Sequence, residues 1–203
     1  MKQKPATLPN SADPGLAVMC GDAFRVCSEP FVTHAAYDFS LAGQRAAANI
    51  GAMVASATNL VLAIEVYLKA LLWYHGVSAP KTHELPELFD DLPPDVRGTV
   101  GSAYQRLRKS EAAETAATAE FAVHIVNPSE GKPNFARSAQ RGFDIQAVLQ
   151  RNASTFVIWR YLFAHPTTTA AEPLIYEFLR LGFIATAIRE QLPIATHIRE
   201  NAV

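Results

Sequence analysis

The stretch from Ala52 to Tyr74, "AMVASATNLVLAIEVYLKALLWY", constrains the fold more than any other part of the sequence. It is long enough to cross a bilayer, for which about 20 apolar residues suffice. It also contains Glu65 and Lys69, and a charge near the centre of a bilayer costs about 2.5–3.5 kcal/mol on insertion scales. We therefore interpret the stretch as the buried helix of a soluble, cytoplasmic protein that does not span a membrane.

Length and composition indicate one folded domain. The chain has 203 residues, of which 49% are hydrophobic and 18% are charged, so it is long enough to bury a sizeable core. Residues 1–13 are polar and broken by proline, which predicts a disordered leader without the apolar core of a signal peptide. Residues 14–200 are expected to form a single domain, with its core at about 40–190.

The spacing of apolar residues predicts an all-α fold with four principal helices and some short ones. A short helix at 14–28 is expected to end at Pro30 and to turn one face inward, made of Leu16, Cys20, Phe24 and Cys27. The two cysteines are seven positions apart, which places them on the same face of a helix, so we expect them to form a small buried pair instead of a disulfide framework. A long helix from Gln44 to Tyr74 should stop at Gly76.

The second half of the chain predicts more helices and no convincing strand. Thr82 is expected to cap a short helix with Leu85 and Leu88 inward, ended by Pro93 and Pro94. The next helix is expected from Pro94 to Glu120, with Val96, Val100, Tyr104 and Leu107 on one face, and a loop follows at 127–142. Asp144 is expected to cap a helix that runs through Phe163 to His165–Pro166. A last helix is expected at 172–191, and Pro193 breaks it.

Three segments, in this order, resemble a known family. "ATNLVLAIEVYLKALLWYHG", "KTHELPELFDDLP" and "ASTFVIWRYLF" are similar to parts of the HEPN domain (higher eukaryotes and prokaryotes nucleotide-binding). The resemblance implies a bundle of four to five helices with short extra helices, frequently a homodimer. It also implies RNA or nucleotide binding, and an antitoxin or nucleotidyltransferase as a possible protein partner. Many members are metal-independent endoribonucleases of toxin–antitoxin, phage-defence or RNA-surveillance systems.

The catalytic signature of that family is an arginine followed, after four to six residues, by a histidine. Arg160 and His165 satisfy it in "WRYLFAHP". Histidine titrates near neutrality and can move the proton of a 2′-hydroxyl, while arginine is a permanent, forked cation for a phosphorane. A related branch reads R-Y-x-aromatic-E, which Arg160, Tyr161 and Phe163 also match, with Ala164 at the place of the glutamate.

Helical geometry leaves two arrangements open for this pair. Five residues rotate a continuous helix by about 140°, so the two side chains would diverge. Pro166 pushes His165 out of the helical region, which lets His165 turn back or meet Arg160 of a second subunit. Alternatively, His165 caps the helix end and Arg160 pairs with a buried carboxylate such as Glu65.

Further candidates come from isolated polar residues and from the charge distribution. Glu65 and Lys69 form either a narrow solvent-facing stripe or the wall of a cleft beside Arg160, and His83 is expected to hydrogen-bond a neighbouring helix or to cap its own. Basic residues concentrate at 132–165 and 96–110, and acidic residues at 82–95, which favours a polyanion groove. The predicted substrate-binding residues are Glu65, Lys69, Arg137, Arg141 and Tyr161.

No metal or cofactor is expected, because the histidines and cysteines lack metal-ligand spacing and no glycine-rich phosphate loop occurs. Two functions remain open at this point. The first is a HEPN-like RNA-binding protein, in its sharpest form a metal-independent endoribonuclease that uses Arg160 and His165. The second is a non-catalytic HEPN-like dimerisation or interaction module in which Arg160 is structural.

Overall fold

The computed structural model describes residues 13–33, 44–109, 121–123, 144–153 and 174–193. The described helices are α1 (Pro14–Thr33), α2 (Gln44–Tyr74), α3 (Leu85–Asp90), α4 (Pro94–Lys109), α5 (Ile145–Arg151) and α6 (Phe178–Arg189). Two strands of three residues, β1 (Phe121–Val123) and β2 (Leu174–Tyr176), pair antiparallel with Phe121 opposite Tyr176. The described part is therefore helical, as predicted, with one minimal strand pair.

Helix α2 is the centre of the fold. It packs against α1 along its length and also against α6 and α3. Its buried residues include Leu60, Ile64, Tyr67, Leu68 and Leu71. Among the described residues, Val54–Tyr74 is the one segment with the length and composition of a membrane span, and 61% of its most apolar window is buried inside the protein. A core helix meets the same criteria, in agreement with the buried helix expected here.

The end of α2 follows from local chemistry. Gly76 adopts the left-handed conformation, with φ of 71°, which a residue without Cβ adopts at little cost. The Gly76 N–H donates to the Trp73 carbonyl at 3.0 Å, and the Val77 N–H donates to the Leu72 carbonyl at 2.9 Å. This is the Schellman arrangement that satisfies the last carbonyls of a helix, so the predicted stop at Gly76 is confirmed.

Helices α3 and α4 follow their expected boundaries closely. Leu85 and Leu88 are fully buried, and α4 begins at Pro94. Thr82 is not the N-cap of α3, because Glu84 holds that position. The Thr82 hydroxyl instead accepts the Glu84 N–H at 3.1 Å, one step before the helix. The described part of α4 ends at Lys109, and the predicted continuation to Glu120 lies outside the described residues.

Helix α1 differs from its prediction in length and in orientation. Asp13 begins it, since its carboxylate accepts the Gly15 and Leu16 N–H groups at 2.8 and 3.1 Å. The helix continues through Pro30 to Thr33, so the expected stop is wrong. The predicted inward face is right only for Phe24, which packs against the core. Leu16, Cys20 and Cys27 are exposed, and the buried residues up to position 28 are Val18, Gly21 and Ser28. The cysteines are therefore not a buried pair.

Among the C-terminal elements, the predicted Asp144 cap is confirmed and the predicted helix start at 172 is wrong. The Asp144 carboxylate accepts the Ala147 N–H at 2.9 Å, as the predicted cap of α5. Helix α5 ends at Arg151 with Asn152 as its C-cap, so the expected unbroken helix through Phe163 is wrong. Residues 154–165 lie outside the described residues. Residues 174–176 form β2, not the first turn of a helix from 172, because β1 supplies their hydrogen-bond partners. Helix α6 then begins at Phe178 and packs on α2 and α4.

Candidate functional site

The predicted catalytic pair cannot be located, since Arg160 and His165 lie outside the described residues. The same is true of three predicted substrate contacts, Arg137, Arg141 and Tyr161. Glu65 and Lys69 are both described, on α2. The geometry of the candidate site is therefore built from these two residues and from what surrounds them.

Glu65 is a buried carboxylate at the junction between α2 and the segment that enters α3. The residue is 5% exposed. Its Oε1 accepts a hydrogen bond from Lys69 Nζ at 2.7 Å and lies 2.9 Å from His83 Nδ1. The idea of a solvent-facing stripe is therefore wrong for Glu65. The expectation that His83 hydrogen-bonds a neighbouring helix is confirmed, because its partner is on α2.

This contact defines the orientation of the His83 ring. A carboxylate accepts hydrogen bonds, so the contact with Glu65 Oε1 favours the tautomer of His83 that carries a proton on Nδ1. The His83 side chain is 68% exposed. A carboxylate that fixes the tautomer of an accessible imidazole is the arrangement used for proton transfer in many enzymes. Lys69, with its side chain 19% exposed, adds a positive charge beside it.

The second oxygen of Glu65 is unusual. Oε2 is buried and has no hydrogen-bond partner within the described part of the chain. A buried acceptor without a donor costs about 1–3 kcal/mol, and more when it is charged. Such groups are rare in folded proteins, and each needs a specific explanation. Within the described ranges Glu65 Oε2 therefore remains an acceptor to which another part of the chain or a ligand can donate.

A groove lies along α4. Its volume is about 650 Å³, and its lining residues are Gly98, Gly101, Ser102, Gln105, Arg106, Lys109, Asp144 and Ile145. A Cβ added at Gly98 or Gly101 would meet nothing within 4 Å, so this side of α4 is open and smooth. Arg106 forms an ion pair with Glu190. Lys109 and Asp144 also line the groove, so its charges are nearly balanced.

The basic residues that suggested a polyanion patch are partly neutralised by acidic neighbours. Arg97 Nη1 lies 3.4 Å from Asp90 Oδ1, and Arg106 pairs with Glu190. Arg151 is bound to Glu177. The segregation of charge that the sequence suggests is thus weaker in three dimensions than along the chain.

Glu177 is the centre of a buried network that sequence reasoning missed. It is 1% exposed and accepts hydrogen bonds from Arg151 Nε and Nη2 at 3.0 and 2.9 Å, from Arg180 Nη1 at 2.9 Å and from Asn152 Nδ2 at 3.0 Å. Burial alone would raise the pKa of Glu177, but the hydrogen bonds and charges of Arg151 and Arg180 outweigh it and hold the pKa below its usual value. Burial raises the pKa of neighbouring Tyr104 to about 12.

The Glu177 network joins α5 to the start of α6 and is structural. The signal available in the sequence was a glutamate and an arginine three residues apart, Glu177 and Arg180, in an otherwise apolar segment. Three residues place two side chains on the same helical face. Their position in the interior depends on Arg151, which is 26 residues away from Glu177 in sequence, and no local pattern predicts that pairing.

A second polar cluster joins α1, α2 and α6. The Asp22 carboxylate accepts hydrogen bonds from Tyr67 Oη at 2.5 Å and from Arg189 Nε and Nη2 at 2.7 and 3.1 Å. Burial alone would raise the pKa of Asp22. The hydrogen bonds from Arg189 and Tyr67 outweigh burial, so the pKa of Asp22 lies below its usual value. Burial and the Asp22 carboxylate raise the pKa of Tyr67. Asp22, Tyr67 and Arg189 lie on three different helices, so their hydrogen bonds connect α1, α2 and α6.

No group of three or more histidine, cysteine, aspartate or glutamate side chains in the described ranges could hold a metal ion. Comparison with protein-family models, with curated proteins and with solved structures finds no match for this chain. The Glu65–Lys69–His83 cluster and the α4 groove therefore carry the functional argument.

Proposed function

We propose that the chain is a cytoplasmic HEPN-like protein that binds RNA or nucleotide and, in its sharpest form, cleaves RNA without a metal ion. The observation that carries the proposal is the buried Glu65 that orients an exposed His83. Glu65 lies in "AIEVYLK" and His83 lies in "KTHEL", and both stretches belong to the segments on which the family resemblance rests. A tautomer-fixed imidazole beside a lysine is suited to proton transfer at a phosphodiester.

In this proposal Arg160 and His165 perform the reaction at phosphorus. His165 takes the proton of the 2′-hydroxyl, the 2′-oxygen bonds to phosphorus and the bond to the 5′-oxygen breaks. Arg160 stabilises the charge on the phosphorane. The products are a 2′,3′-cyclic phosphate and a 5′-hydroxyl, whose proton comes from a protonated imidazole or from water. DNA has no 2′-hydroxyl and would not react.

The remaining predicted residues hold the substrate in this scheme. Arg137, Arg141 and Tyr161 contact the RNA, and Lys69 contributes positive charge near His83. The groove along α4 is a suitable path for the backbone of the strand, because it is open and Lys109 is one of its lining residues. Phosphate contacts of this kind dominate the affinity of proteins for nucleic acids and weaken as the salt concentration rises. An antitoxin or nucleotidyltransferase partner and a homodimer belong to the same proposal.

The test is cleavage of end-labelled RNA by purified protein in EDTA. Arg160→Ala and His165→Ala should each abolish cleavage, and His83→Ala and Glu65→Gln should reduce it at least tenfold with no loss of helix content. His75→Ala is the matched control, because His75 is an exposed histidine directly after α2, the helix that carries Glu65. It should cleave as the wild type does. Equal cleavage by all variants would point to a contaminating ribonuclease and would overturn the proposal.

The second candidate function is a non-catalytic HEPN-like interaction module in which Arg160 is a structural residue. The observation that favours it is the apolar outer face of α1, where Leu16 and Val26 are more than half exposed. Absence of cleavage by the wild type, together with self-association or partner binding through this face, would select the module. RNA binding without cleavage, weakened by Lys109→Ala, would keep the first half of the proposal and remove the catalytic half.

A further inference from the structure

A pocket separate from the α4 groove lies where α1, α2 and α6 meet. Its volume is about 220 Å³. Leu60 of α2 and Phe178 at the start of α6 form part of its wall, and both are buried. Arg25 of α1 also lines it. No described lining residue of this pocket belongs to the α4 groove or to the Glu65–Lys69–His83 cluster, so it is a different site.

Helix α6 supplies one long wall of the pocket. Leu179, Gly182, Phe183 and Thr186 all line it, and their spacing of three, four and seven residues places them on one helical face. Most of α6 is buried, whereas these four residues are half-buried. From Leu179 to Thr186 the wall is about 10 Å long, at 1.5 Å per residue. It is apolar as far as Phe183 and polar at Thr186, which suits a ligand with an apolar body and one polar end.

Arg25 lies at the polar end of this wall. Its Nη1 is 3.4 Å from Thr186 Oγ1. Asp22, the acidic residue one turn before Arg25, is occupied by Arg189, which donates to it from Nε and Nη2 at 2.7 and 3.1 Å. A guanidinium has five N–H donors in one plane, so Arg25 can bind a further acceptor while it keeps its present contacts. The acceptor that matches a guanidinium best is a carboxylate.

Gly182 keeps the middle of the pocket open. A Cβ added at Gly182 would meet no atom of the described residues within 4 Å. Gly21 on α1 is different, because a Cβ there would lie 2.4 Å from Tyr67 Cε1. Glycine is a poor residue inside a helix, and no described packing contact requires it at position 182. The consequence of its missing side chain is the space in the pocket.

We propose that this pocket binds a small apolar monocarboxylate. The carboxylate lies at Arg25 and Thr186, and the aliphatic or aromatic part of the ligand lies over Gly182, beside Leu60 and Phe183. Pockets for drug-sized ligands measure about 300–1,000 Å³, so this smaller one fits a ligand of roughly ten non-hydrogen atoms and is too small for a nucleotide. A ligand of that size is expected to bind with a dissociation constant of roughly 10–500 μM.

The first test is an NMR titration of the ¹⁵N-labelled full chain with 3-phenylpropionate, up to about 5 mM so that weak binding is also measured. The neutral 3-phenylpropanol is titrated in parallel and should bind at least tenfold more weakly. Arg25→Gln should weaken binding of the acid at least tenfold and leave binding of the alcohol unchanged, because it removes the charge. Lys81→Gln, which removes an exposed cation outside the pocket, should bind as the wild type does. Circular dichroism checks that both variants are folded.

Gly182→Leu tests the location of the ligand. Its side chain fills the pocket, so binding of 3-phenylpropionate should be lost while the melting temperature stays the same or rises. Gly98→Leu, at an equally open position on α4, should leave binding unchanged. A wild type that does not bind the acid, together with a lower melting temperature of Gly182→Leu, would overturn the proposal in favour of another part of the chain as the occupant.

Three other results would also refute this assignment. A wild type that does not bind, with Gly182→Leu stable, would mean that the space takes no such ligand. Equal binding by Gly182→Leu and the wild type would place the probe elsewhere. Equal binding of the acid and the alcohol, with no effect of Arg25→Gln, would replace the carboxylate by a neutral apolar ligand. None of these readouts uses RNA, so failure of the nuclease proposal would leave them unaffected.

Discussion

Replacement of Gly21 by alanine tests the packing of α1 on the centre of the fold. A Cβ at this position would lie 2.4 Å from Tyr67 Cε1 and 2.6 Å from Cδ1. These separations are far below van der Waals contact, so the ring or the helix must move. The ring has little freedom, because Tyr67 is fully buried and its hydroxyl binds Asp22, which Arg189 holds from the other side.

The expected loss of stability combines three contributions. Overpacking of a well-packed core costs about 1–3 kcal/mol. Displacement of the Tyr67 ring also weakens a hydrogen bond to a charged acceptor, which contributes about 1.5–3 kcal/mol. The greater helix propensity of alanine returns about 1 kcal/mol. We therefore expect Gly21→Ala to lower the free energy of unfolding by about 2–4 kcal/mol. At roughly 2–4 °C per kcal/mol for a chain of this size, the melting temperature should fall by about 5–15 °C.

The assay is urea denaturation followed by circular dichroism, with Gly101→Ala as the matched control. Gly101 lies within α4, and a Cβ there would meet nothing within 4 Å. Gly101→Ala should therefore gain about 0.5–1 kcal/mol of stability from helix propensity alone. In a Tyr67→Leu background the cost of Gly21→Ala should shrink, which assigns it to the ring. If Gly21→Ala were as stabilising as Gly101→Ala, α1 would not pack on Tyr67 and the reasoning would be refuted.

Two further predictions concern the buried network and a helix cap. Glu177→Gln leaves Arg151 and Arg180 without their carboxylate, so it should cost about 3–5 kcal/mol, whereas Glu87→Gln at an exposed site should cost under about 0.5 kcal/mol. Folding lowers the pKa of Glu177. Its contribution to stability is therefore present above the pKa of the unfolded state and is lost as pH falls through the pKa of the folded state. Glu177→Gln should lose less stability on acidification than the wild type, and an equal loss in both proteins would contradict this. Asp144→Ala removes the cap of α5 and should cost about 1 kcal/mol in the same denaturation assay, and no change would mean that the cap does not form in solution.

The incomplete hydrogen bonding of Glu65 links the core of the protein to its proposed chemistry. A carboxylate in an apolar helix is expensive to bury, and among the described residues Lys69 and His83 offset that cost at Oε1. An apolar residue of similar volume could stabilise the protein as well, so the role that the proposal gives to the carboxylate is its contact with His83. This is why Glu65→Gln, which keeps the shape and removes the charge, is included in the cleavage test.

Features set by neighbouring residues could be predicted from the sequence. The length of α2 follows from a long apolar run, and its end follows from Gly76, because only local hydrogen bonds and one backbone conformation are involved. The same holds for the start of α4 at Pro94 and for the Asp144 cap of α5. In each case a single residue satisfies or removes backbone donors within one helical turn, so no distant partner is required.

Features that depend on distant partners were decided by the tertiary structure. The face that α1 turns inward contains Val18 and Phe24, packed on the core. Asp22 binds Tyr67 of α2 and Arg189 of α6, and no local pattern in α1 predicts those partners. Residues 174–176 are a strand because β1 supplies their hydrogen bonds.

The candidate site shows the same division. Glu65 and Lys69 could be selected from the sequence as charges in an apolar helix, and the pairing of Arg160 with His165 stays a prediction. The contact between Glu65 and His83 joins residues 18 apart in sequence, and that between Arg151 and Glu177 joins residues 26 apart. Sequence shows which side chains are chemically out of place, whereas the packing of helices decides which of them meet, because that packing depends on contacts made across the whole core.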